Sequence, residues 1–214
     1  MKTDMAHILI TSGPTRQYLD PVRYLSNASS GQMGSALAQA TLDLGYEVTI
    51  ISGPVSIEYP AAAKVVEVVS TQEMFESAVE IFPACQGVIA AAAPCDFKPA
   101  NYSKQKIKKD QQPLELSFVE TTDILGKPGS EKRDDQWSVG FALETEDGKN
   151  RALAKLQKKN CDLIVLNGPA AIDSPENQIE IIDPNGNVAL SSTGTKAHVA
   201  REILKVIQAR LVSS

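Results

Sequence analysis

The chain has little of what marks the specialised protein classes, beginning with cysteine, histidine and aromatic residues. Its 214 residues include 3 cysteines and 2 histidines, and 5% are aromatic. An odd number of scattered cysteines argues against a full disulfide framework, and their spacing fits no metal knuckle. Cysteines beside apolar runs are usually small buried hydrophobes. The cysteine content therefore indicates a reduced, cytoplasmic protein with no metal-ligating cluster of side chains.

Strong positive charge and long apolar runs are missing as well. The net charge is −5, so the basic surface of a nucleic-acid-binding protein is not expected. No apolar run approaches the roughly 20 residues that span a bilayer. The N-terminus leads almost directly into a predicted strand, without an apolar signal segment. We therefore expect neither nucleic acid nor a membrane as a partner.

Several catalytic and nucleotide-binding motifs are also missing. The G-x-x-x-x-G-K-[ST] pattern is absent, which excludes a P-loop ATPase at the level of the motif. No Ser/His/Asp hydrolase signature occurs, and the isolated His7 and His198 are expected to be structural or exposed. The G-x-G-x-x-G fingerprint is absent too. An NAD(P)-dependent Rossmann oxidoreductase therefore remains an alternative on the fold alone.

What the sequence does contain is an alternation of apolar strands and amphipathic helices. This pattern predicts an α/β fold, a three-layer Rossmann-like structure with a mostly parallel sheet and a late antiparallel hairpin, in a single domain over residues 1–214. The hairpin is indicated by the turn residues Asn185 and Gly186. Strands are predicted over 8–12, 47–52, 65–69, 87–93, 114–119, 138–144, 162–167, 179–182 and 188–190, and helices over 31–44, 71–82, 151–159 and 195–211.

Two polar segments interrupt this alternation. Residues 94–113 hold three prolines and five lysines. A loop of this length in a compact domain is often a lid or a binding loop. Residues 126–136 are predicted to be an exposed connection.

The first loop and the helix that follows it predict a phosphate site. Residues 29–34 read SSGQMG at the start of a predicted helix. Glycine permits close backbone approach, and the N–H groups and dipole of a helix N-terminus favour an anion. The alternative is an ordinary capped turn.

Arg23 and Asn27 lie between the first strand and this turn. An arginine there can pair with a phosphate or carboxylate, and an asparagine amide can donate to an oxygen that gains negative charge. The alternatives are a surface ion pair for Arg23 and an Asx turn for Asn27. The sequence leaves both readings open.

Three lysines and one aspartate complete the candidate residues. Lys106 lies in the lid-like loop, where a mobile cation could offset phosphoryl charge. Lys155 and Lys159 share a helix face, and Asp96 follows the central strand, where α/β folds place ligand contacts. The alternatives are a solvated basic loop, a solubilising helix face and a loop cap.

Taken together, these segments resemble the phosphopantothenate–cysteine ligase family of coenzyme A biosynthesis. The resemblance runs along nearly the whole chain, in order. The resemblance rests on the segments TSGPTRQYLDPVRYLSNASSGQMG, EVTIISGPV, AAAAPCDF, QKIKK, TTDIL, VGFALET and KLQKKNCDLIVLN.

The resemblance implies a two-step ligation. The carboxylate of 4'-phosphopantothenate would attack the α-phosphate of CTP or ATP, CTP in most bacterial members, to give an acyl-nucleotide and pyrophosphate. The amine of L-cysteine would then displace the nucleoside monophosphate. Mg²⁺ would accompany the nucleotide, and the family implies a homodimer.

The family's functional residues carry over by motif. Asn27 and Lys106 would be catalytic, in the cysteine step and in nucleotide activation respectively. Arg23 would reach phosphopantothenate from the neighbouring protomer, beside Asn27, Ala92, Ala93 and Asp96. The nucleotide would be held by Ser30, Gly31, Met33, Gly34, Ala90, Ala91, Ala92, Asp96, Lys106, Asp123, Ile124, Leu125, Phe141, Lys155 and Lys159.

Three departures from the family pattern matter. Many bacterial members carry a preceding flavin-containing decarboxylase domain that this sequence lacks, so no FMN is expected. The strand end commonly reads AAVxD, and here Pro94 removes an N–H donor. Gly168 stands where many members have aspartate. An inactive nucleotide-binding homologue is therefore a further alternative.

Overall fold

The computed structural model describes residues 6–109, 114–169, 174 and 176–212. In this part of the chain no helix is both long and apolar enough to cross a membrane. The strands are β1 (His7–Ser12), β2 (Arg16–Tyr18), β3 (Tyr24–Ser26), β4 (Glu47–Ser52), β5 (Lys64–Glu67), β6 (Gly87–Ala90), β7 (Phe97–Pro99), β8 (Phe118–Glu120), β9 (Trp137–Leu143), β10 (Leu163–Asn167), β11 (Glu176–Ile182) and β12 (Val188–Thr195). The helices are α1 (Gln32–Asp43), α2 (Thr71–Ile81), α3 (Gly126–Glu131), α4 (Gly148–Lys158) and α5 (Lys196–Leu211), with a 3₁₀ turn at Phe82–Ala84.

Eight strands form one sheet in the order β12-β11-β10-β9-β6-β1-β4-β5. The strands from β10 to β5 in this order are all parallel, and β11 and β12 join the β10 edge antiparallel. Gly186 takes a positive φ of 79° in the turn between β11 and β12. The predicted α/β class, with its mostly parallel sheet and late antiparallel hairpin, is confirmed.

Helices cover both faces of the sheet, because successive residues of each strand point to opposite sides. Ile8 and Ile10 of β1 belong to one buried cluster with α1 and α5, whereas Leu9 belongs to a second cluster with α2 and α4. Parallel strands that are covered in this way are apolar throughout. The apolar run over residues 8–10 of β1 and the apolar composition of β6 follow from this burial.

The strand order reverses between β1 and β6. From β1 the chain adds β4 and then β5 on one side, and β6 and then β9 lie on the other. Ligands of open α/β sheets bind in the crevice at the carboxyl ends of strands, where the order reverses. The loops that follow Ser12 and Ala90 border this crevice.

Three segments differ from their sequence predictions. The strand predicted over 87–93 ends at Ala90, because the chain then turns away and only Ala93 makes a further bridge, to Pro14. Of residues 114–119, only 118–119 are in a strand; β8 (Phe118–Glu120) pairs with the unpredicted β7 in a separate two-stranded ribbon. Residues 110–113 of the predicted lid loop lie outside the described residues.

Residues 126–136 are not simply an exposed connection. They contain α3, in which Pro128 and Gly129 are buried, and they end at the buried Gln136. A Cβ atom on Gly129 would lie 2.0 Å from the carbonyl oxygen of Lys159, so glycine lets α3 approach the end of α4. The Gln136 amide donates to the carbonyl oxygens of Phe82 and Cys85, which satisfies its polar group inside the protein.

Gly34 determines how closely α1 approaches the end of β1, and Gly34→Ala tests this contact. The added Cβ would lie 2.0 Å from Ser12 Oγ, which is already bonded to Tyr59 and to the Gly31 carbonyl. We expect the free energy of unfolding to fall by about 1–3 kcal/mol, as in other overpacked sites. Among the described residues, no atom lies within 4 Å of a Cβ added at Gly168. Gly168→Ala is the matched control. Its free energy of unfolding, measured by chemical denaturation, should be close to that of the wild type.

Candidate ligand site at the carboxyl edge of the sheet

Two cavities lie side by side at the carboxyl edge of the sheet. The α4 cavity, of about 500 Å³, lies between the ends of β6 and β9, residues 120–125 and α4. The α1 cavity, of about 470 Å³, lies between the N-terminus of α1, the strand-end loop after β6 and the end of β9. Both are lined by Ala92, Pro94, Asp96, Phe141, Lys155 and Lys159. A ligand could therefore extend from one cavity into the other.

The strand-end loop, residues 91–96, is held by hydrogen bonds to the end of β1 and to the loop that follows it. The N–H groups of Ala91 and Ala93 donate to the carbonyl oxygens of Thr11 and Gly13, at 3.1 and 2.9 Å. Ala92 N–H donates to Thr11 Oγ1 at 3.3 Å. These bonds stay in place although Pro94 has no N–H group. The departure at Pro94 therefore leaves the strand-end loop anchored.

Threonine hydroxyls, which the sequence reasoning missed, fix the far side of this loop. Thr15 Oγ1 accepts the Cys95 N–H at 2.9 Å and is 2.8 Å from Thr71 Oγ1. Thr121 Oγ1 donates to the Cys95 carbonyl oxygen at 2.6 Å. The one signal in the sequence that could have found these threonines is that they lie close to the ends of strands or helices. They form no recognisable sequence motif.

The N-terminus of α1 opens into the α1 cavity. Ser30, Gly31, Met33 and Gly34 line this cavity, as the predicted phosphate turn requires. Gly31 has a positive φ of 77°, and the helix has no hydrogen bond from a capping side chain. The first N–H groups of a helix lack intrahelical partners, and the dipole makes this end positive. The turn is therefore suited to an anionic group.

Asn27 stands at the border of the α1 cavity and is tied to the strand-end loop. Its Nδ2 atom donates to the Pro94 carbonyl oxygen at 2.8 Å and to the Ala93 carbonyl oxygen at 3.3 Å. These two bonds fix the direction of the amide. The longer bond is the weaker of the two, and a better acceptor could replace it.

Lys155 and Lys159 reach both cavities from α4 and its C-terminal cap. Lys155 Nζ donates to the Phe141 carbonyl oxygen at 2.7 Å. Burial and the neighbouring charge of Lys159 lower the pKa of Lys155, although Glu144, Asp96 and Asp123 act in the opposite direction. Desolvation disfavours an isolated ammonium group, and an anion beside it would restore the usual pKa. Lys155 is thus suited to a negatively charged ligand.

Asp123 holds Lys159 and begins the α3 segment. Its Oδ1 atom is 2.9 Å from Lys159 Nζ and accepts the N–H groups of Leu125 and Gly126 at 3.1 Å. Burial raises the pKa of Asp123, but these bonds and the Lys159 charge outweigh it, so the pKa lies below the usual value. Asp123, Ile124 and Leu125 line the α4 cavity together with Ala90.

Two predicted residues, Arg23 and Lys106, do not line either cavity in the described structure. Arg23 extends from the β2–β3 hairpin to Asp20, at 3.3 Å, and to the Ile107 carbonyl oxygen, at 2.8 Å. Lys106 is exposed on the loop beside it. The remaining predicted residues line at least one cavity.

The carboxylate of Asp96 is a candidate contact for a phosphate-bound cation. It lines both cavities, and the described residues contain no cluster of three metal-binding side chains. Mg²⁺ commonly uses one or two carboxylates and completes its shell with phosphate oxygens and water. The side chains present therefore fit a cation that arrives with a nucleotide, and not a cage made by protein alone.

The cysteines are buried and free. Burial raises the pKa of Cys85 and of Cys161 to about 11. At pH 8 roughly one thiol in a thousand would then be ionised, and the thiolate is the reactive form. We expect iodoacetamide to leave both residues unmodified in the folded protein, as measured by mass spectrometry, and to modify them in guanidinium chloride. Rapid labelling of the native protein at Cys161 would contradict this.

Fold and site together define a Rossmann-like α/β protein with a lysine-lined crevice at the switch point of its sheet. Residues 3–211 match the family described as the DNA/pantothenate metabolism flavoprotein C-terminal domain (DFP). The chain belongs to this family, and the resemblance that the sequence segments carry is confirmed at that level.

Similar proteins of known name are longer than this chain. A cysteine/cysteine sulfinic acid decarboxylase of an unknown prokaryotic organism is 41% identical over 94% of this chain and 57% of its own length. The coenzyme A biosynthesis bifunctional protein CoaBC of Vibrio vulnificus is 40% identical over 94% of this chain and 51% of its own length. CoaBC of Bacillus subtilis is also 40% identical, over 95% of this chain and 51% of its own length. The chain spans little more than half the length of these relatives.

Solved structures match along nearly the whole chain. The C-terminal domain of a CoaBC protein superposes with a TM-score of 0.83 at 36% identity, covering 98% of this chain and 97% of that one. A Cab2 mutant in complex with phosphopantothenate-cysteine has a TM-score of 0.77 at 16% identity, covering 95% of this chain and 86% of that one. The second likeness shows a common fold.

Proposed function

We propose that this chain is a phosphopantothenate–cysteine ligase, which joins 4'-phosphopantothenate to L-cysteine through an acyl-nucleotide. The observation that carries the proposal is the pair of adjoining cavities whose shared wall holds Asp96, Lys155 and Lys159. A nucleotide and an acyl substrate can meet at such a wall. The match to the C-terminal domain of CoaBC over 98% of the chain supports the same reaction.

In the first step the carboxylate of phosphopantothenate attacks the α-phosphate of the nucleotide. A bond forms between the carboxylate oxygen and phosphorus, and the bond to pyrophosphate breaks. Lys155 and Lys159 offset the negative charge in the cavities. Lys106, which is exposed and lines neither cavity here, adds a third cation when its loop closes over the nucleotide. Positioned cations at a transferring phosphoryl group are a common source of rate enhancement. The N-terminus of α1 holds phosphate oxygens of the nucleotide.

In the second step the cysteine amine attacks the acyl carbon, and the nucleoside monophosphate leaves. The acyl oxygen gains negative charge as the tetrahedral intermediate forms. Asn27 is already aligned by its bonds to the strand-end loop, so its amide exchanges the 3.3 Å bond to Ala93 for this oxygen. A fixed neutral donor of this kind stabilises the developing charge without moving a proton.

Asp96 is the carboxylate that would hold a Mg²⁺ ion bound to the nucleotide. The chemistry of the ion there is to neutralise triphosphate charge. We assign no flavin to this chain: we attribute the flavin and decarboxylase chemistry of the longer relatives to the part of their length that this chain does not match. The site proposed here requires only the nucleotide, its cation and the two organic substrates.

We further propose that the protein acts as a homodimer. The β2–β3 hairpin and the adjoining β7–β8 ribbon expose large apolar side chains, among them Tyr18, Val22, Tyr24, Leu25, Phe97 and Phe118. Contiguous apolar surface of this kind marks an interaction site. Arg23 lies on the same hairpin, so a second copy docked there could receive Arg23 at its phosphopantothenate. Sedimentation equilibrium should give twice the chain mass; a monomer at micromolar concentration would overturn this arrangement.

Pyrophosphate release tests the proposed function. Purified protein is incubated with phosphopantothenate, L-cysteine, Mg²⁺ and either CTP or ATP. We expect release that depends on phosphopantothenate, with CTP preferred. Release with ATP and not with CTP would change only the nucleotide. No release with either nucleotide would overturn the ligase and favour an inactive nucleotide-binding relative, and NAD(P)H turnover would favour the oxidoreductase alternative.

A further inference from the structure

A buried carboxylate that the proposed reaction does not use lies beneath the Lys106 loop. The side chain of Asp20 is 0% exposed. Its Oδ1 atom accepts the N–H groups of Val22 and Arg23 at 2.8 and 2.9 Å, and Oδ2 accepts the Ile107 N–H at 3.1 Å. The Arg23 guanidinium is 3.3 Å from Oδ2. A buried carboxylate normally needs this number of partners to stay ionised.

The same contacts fasten the Lys106 loop to the β2–β3 hairpin. Arg23 donates to the Ile107 carbonyl oxygen at 2.8 Å, so both backbone groups of Ile107 are held by the Asp20–Arg23 pair. A second attachment joins the Ser103 N–H to the Leu19 carbonyl oxygen at 2.9 Å. Between these two points the loop carries Lys104 and Lys106 without a secondary-structure element. Its location therefore depends on the two attachments.

We propose that Asp20 is a positioning residue, which with Arg23 holds the backbone of Ile107 and thereby sets where Lys106 can reach during nucleotide activation. This inference rests on the proposed function, because it concerns how Lys106 serves that reaction. Asp20 touches no substrate. It acts through the loop, and it links Arg23 to Lys106.

The charge of Asp20 is consistent with this role. Burial acts to raise its pKa, but the hydrogen bonds from Val22, Ile107 and Arg23 and the Arg23 charge outweigh burial, so the pKa lies below its usual value. Asp20 is therefore an anion at neutral pH. An amide in its place would present an NH₂ group to donors and would weaken the attachment.

Limited trypsin digestion tests the attachment itself. Asp20→Asn should raise the rate of cleavage after Lys104 about tenfold, the effect that losing a charged hydrogen-bond partner has on a local opening equilibrium. Asp183→Asn is the matched control, because Asp183 likewise accepts the backbone N–H groups of Asn185 and Asn187 and pairs with Arg210, far from the loop. Ile107→Pro removes the same bond from the other side and should reproduce the rise. Unchanged cleavage after Lys104 in Ile107→Pro would overturn the proposal.

A double-mutant cycle tests the link to Lys106. Pyrophosphate release is measured without cysteine for Asp20→Asn, Lys106→Ala and the double variant. If Asp20 acts through Lys106, the double variant should be no slower than Lys106→Ala, whereas independent effects would multiply. Asp20→Asn should also raise the KM for the nucleotide and leave the KM for cysteine unchanged. If the substitution merely reduced the amount of folded protein, the apparent kcat would fall and both KM values would stay unchanged.

The outcomes separate this inference from the proposed function. Wild-type protein that releases no pyrophosphate would overturn the ligase. Active wild type with an Asp20→Asn variant of equal activity, or with multiplying effects in the cycle, would overturn the role of Asp20 and leave the ligase intact.

Discussion

Replacing Asn27 with alanine is expected to slow the cysteine-dependent step about 10²–10³-fold, the usual cost of removing one donor to a developing oxyanion. The first equivalent of pyrophosphate, measured within a single turnover, should be released much nearer the wild-type rate, because the amide serves the acyl oxygen and the nucleotide lies beyond it. The acyl-nucleotide should therefore accumulate, and quenched reactions analysed by mass spectrometry would detect it. Asn27→Asp should be at least as slow, since a carboxylate would face the carbonyl oxygens of Ala93 and Pro94 without a proton to donate.

The control for Asn27 is Asn150→Ala, at an exposed asparagine whose amide contacts only a surface side chain, Asp147. This variant should retain both half-reactions. If Asn27→Ala slowed first-turnover pyrophosphate release and amide formation from the acyl-nucleotide to the same extent, Asn27 would be a general structural residue. Its assignment to the cysteine step would then be wrong.

Replacing Lys155 with methionine should lower kcat/KM for the nucleotide by about 10²–10³-fold, because a cation inside a cavity is not easily replaced by solvent. Methionine is close to lysine in side-chain length, but it lacks the charge and the hydrogen bond to the Phe141 carbonyl oxygen. Lys149→Met is the control, since Lys149 is exposed on the same helix and lines neither cavity. A normal rate for Lys155→Met would exclude Lys155 from nucleotide binding.

Lys155 also predicts a pH dependence. Its pKa in the free protein lies below the usual value, and the ammonium form binds the anionic ligand. The affinity for the nucleotide should therefore be highest below this lowered pKa and should decline as the pH rises through it. In Lys155→Arg the charge persists at all accessible pH values, so the decline should disappear. Isothermal titration with the nucleotide across alkaline pH would measure both.

The sequence predicted best those features that depend on neighbouring residues. The phosphate turn before α1 and the Lys155–Lys159 helix face follow from local spacing, and the structure brings them to adjoining cavities. The Lys106 loop, by contrast, lies beside the Arg23 hairpin and is joined to it by a bond between Asp20 and Ile107, 87 residues apart. No local pattern contains that information.

The strand β7 and the helix α3 were missed, and β8 was only partly predicted, for related reasons. Each strand of the ribbon is three residues long and exposes most of its side chains, so it lacks the alternation that marks a half-buried strand. The helix α3 reads GKPGSE, a composition typical of a loop, and it is stabilised by the close approach of Gly129 to Lys159. Tertiary contact overrides local propensity at both places.

The packing of α5 against α1 has a consequence for synthesis of the chain. Leu37 of the first helix shares its buried cluster with Val199, Ile203 and Ile207 of the last one. During translation, one side of α1, the helix that follows the predicted phosphate turn, thus stays uncovered until α5 has been made. Non-local contacts of this kind delay folding and leave apolar surface exposed on the nascent chain. The helix behind the predicted phosphate turn is therefore fully covered only by a segment that the ribosome makes much later than the turn itself.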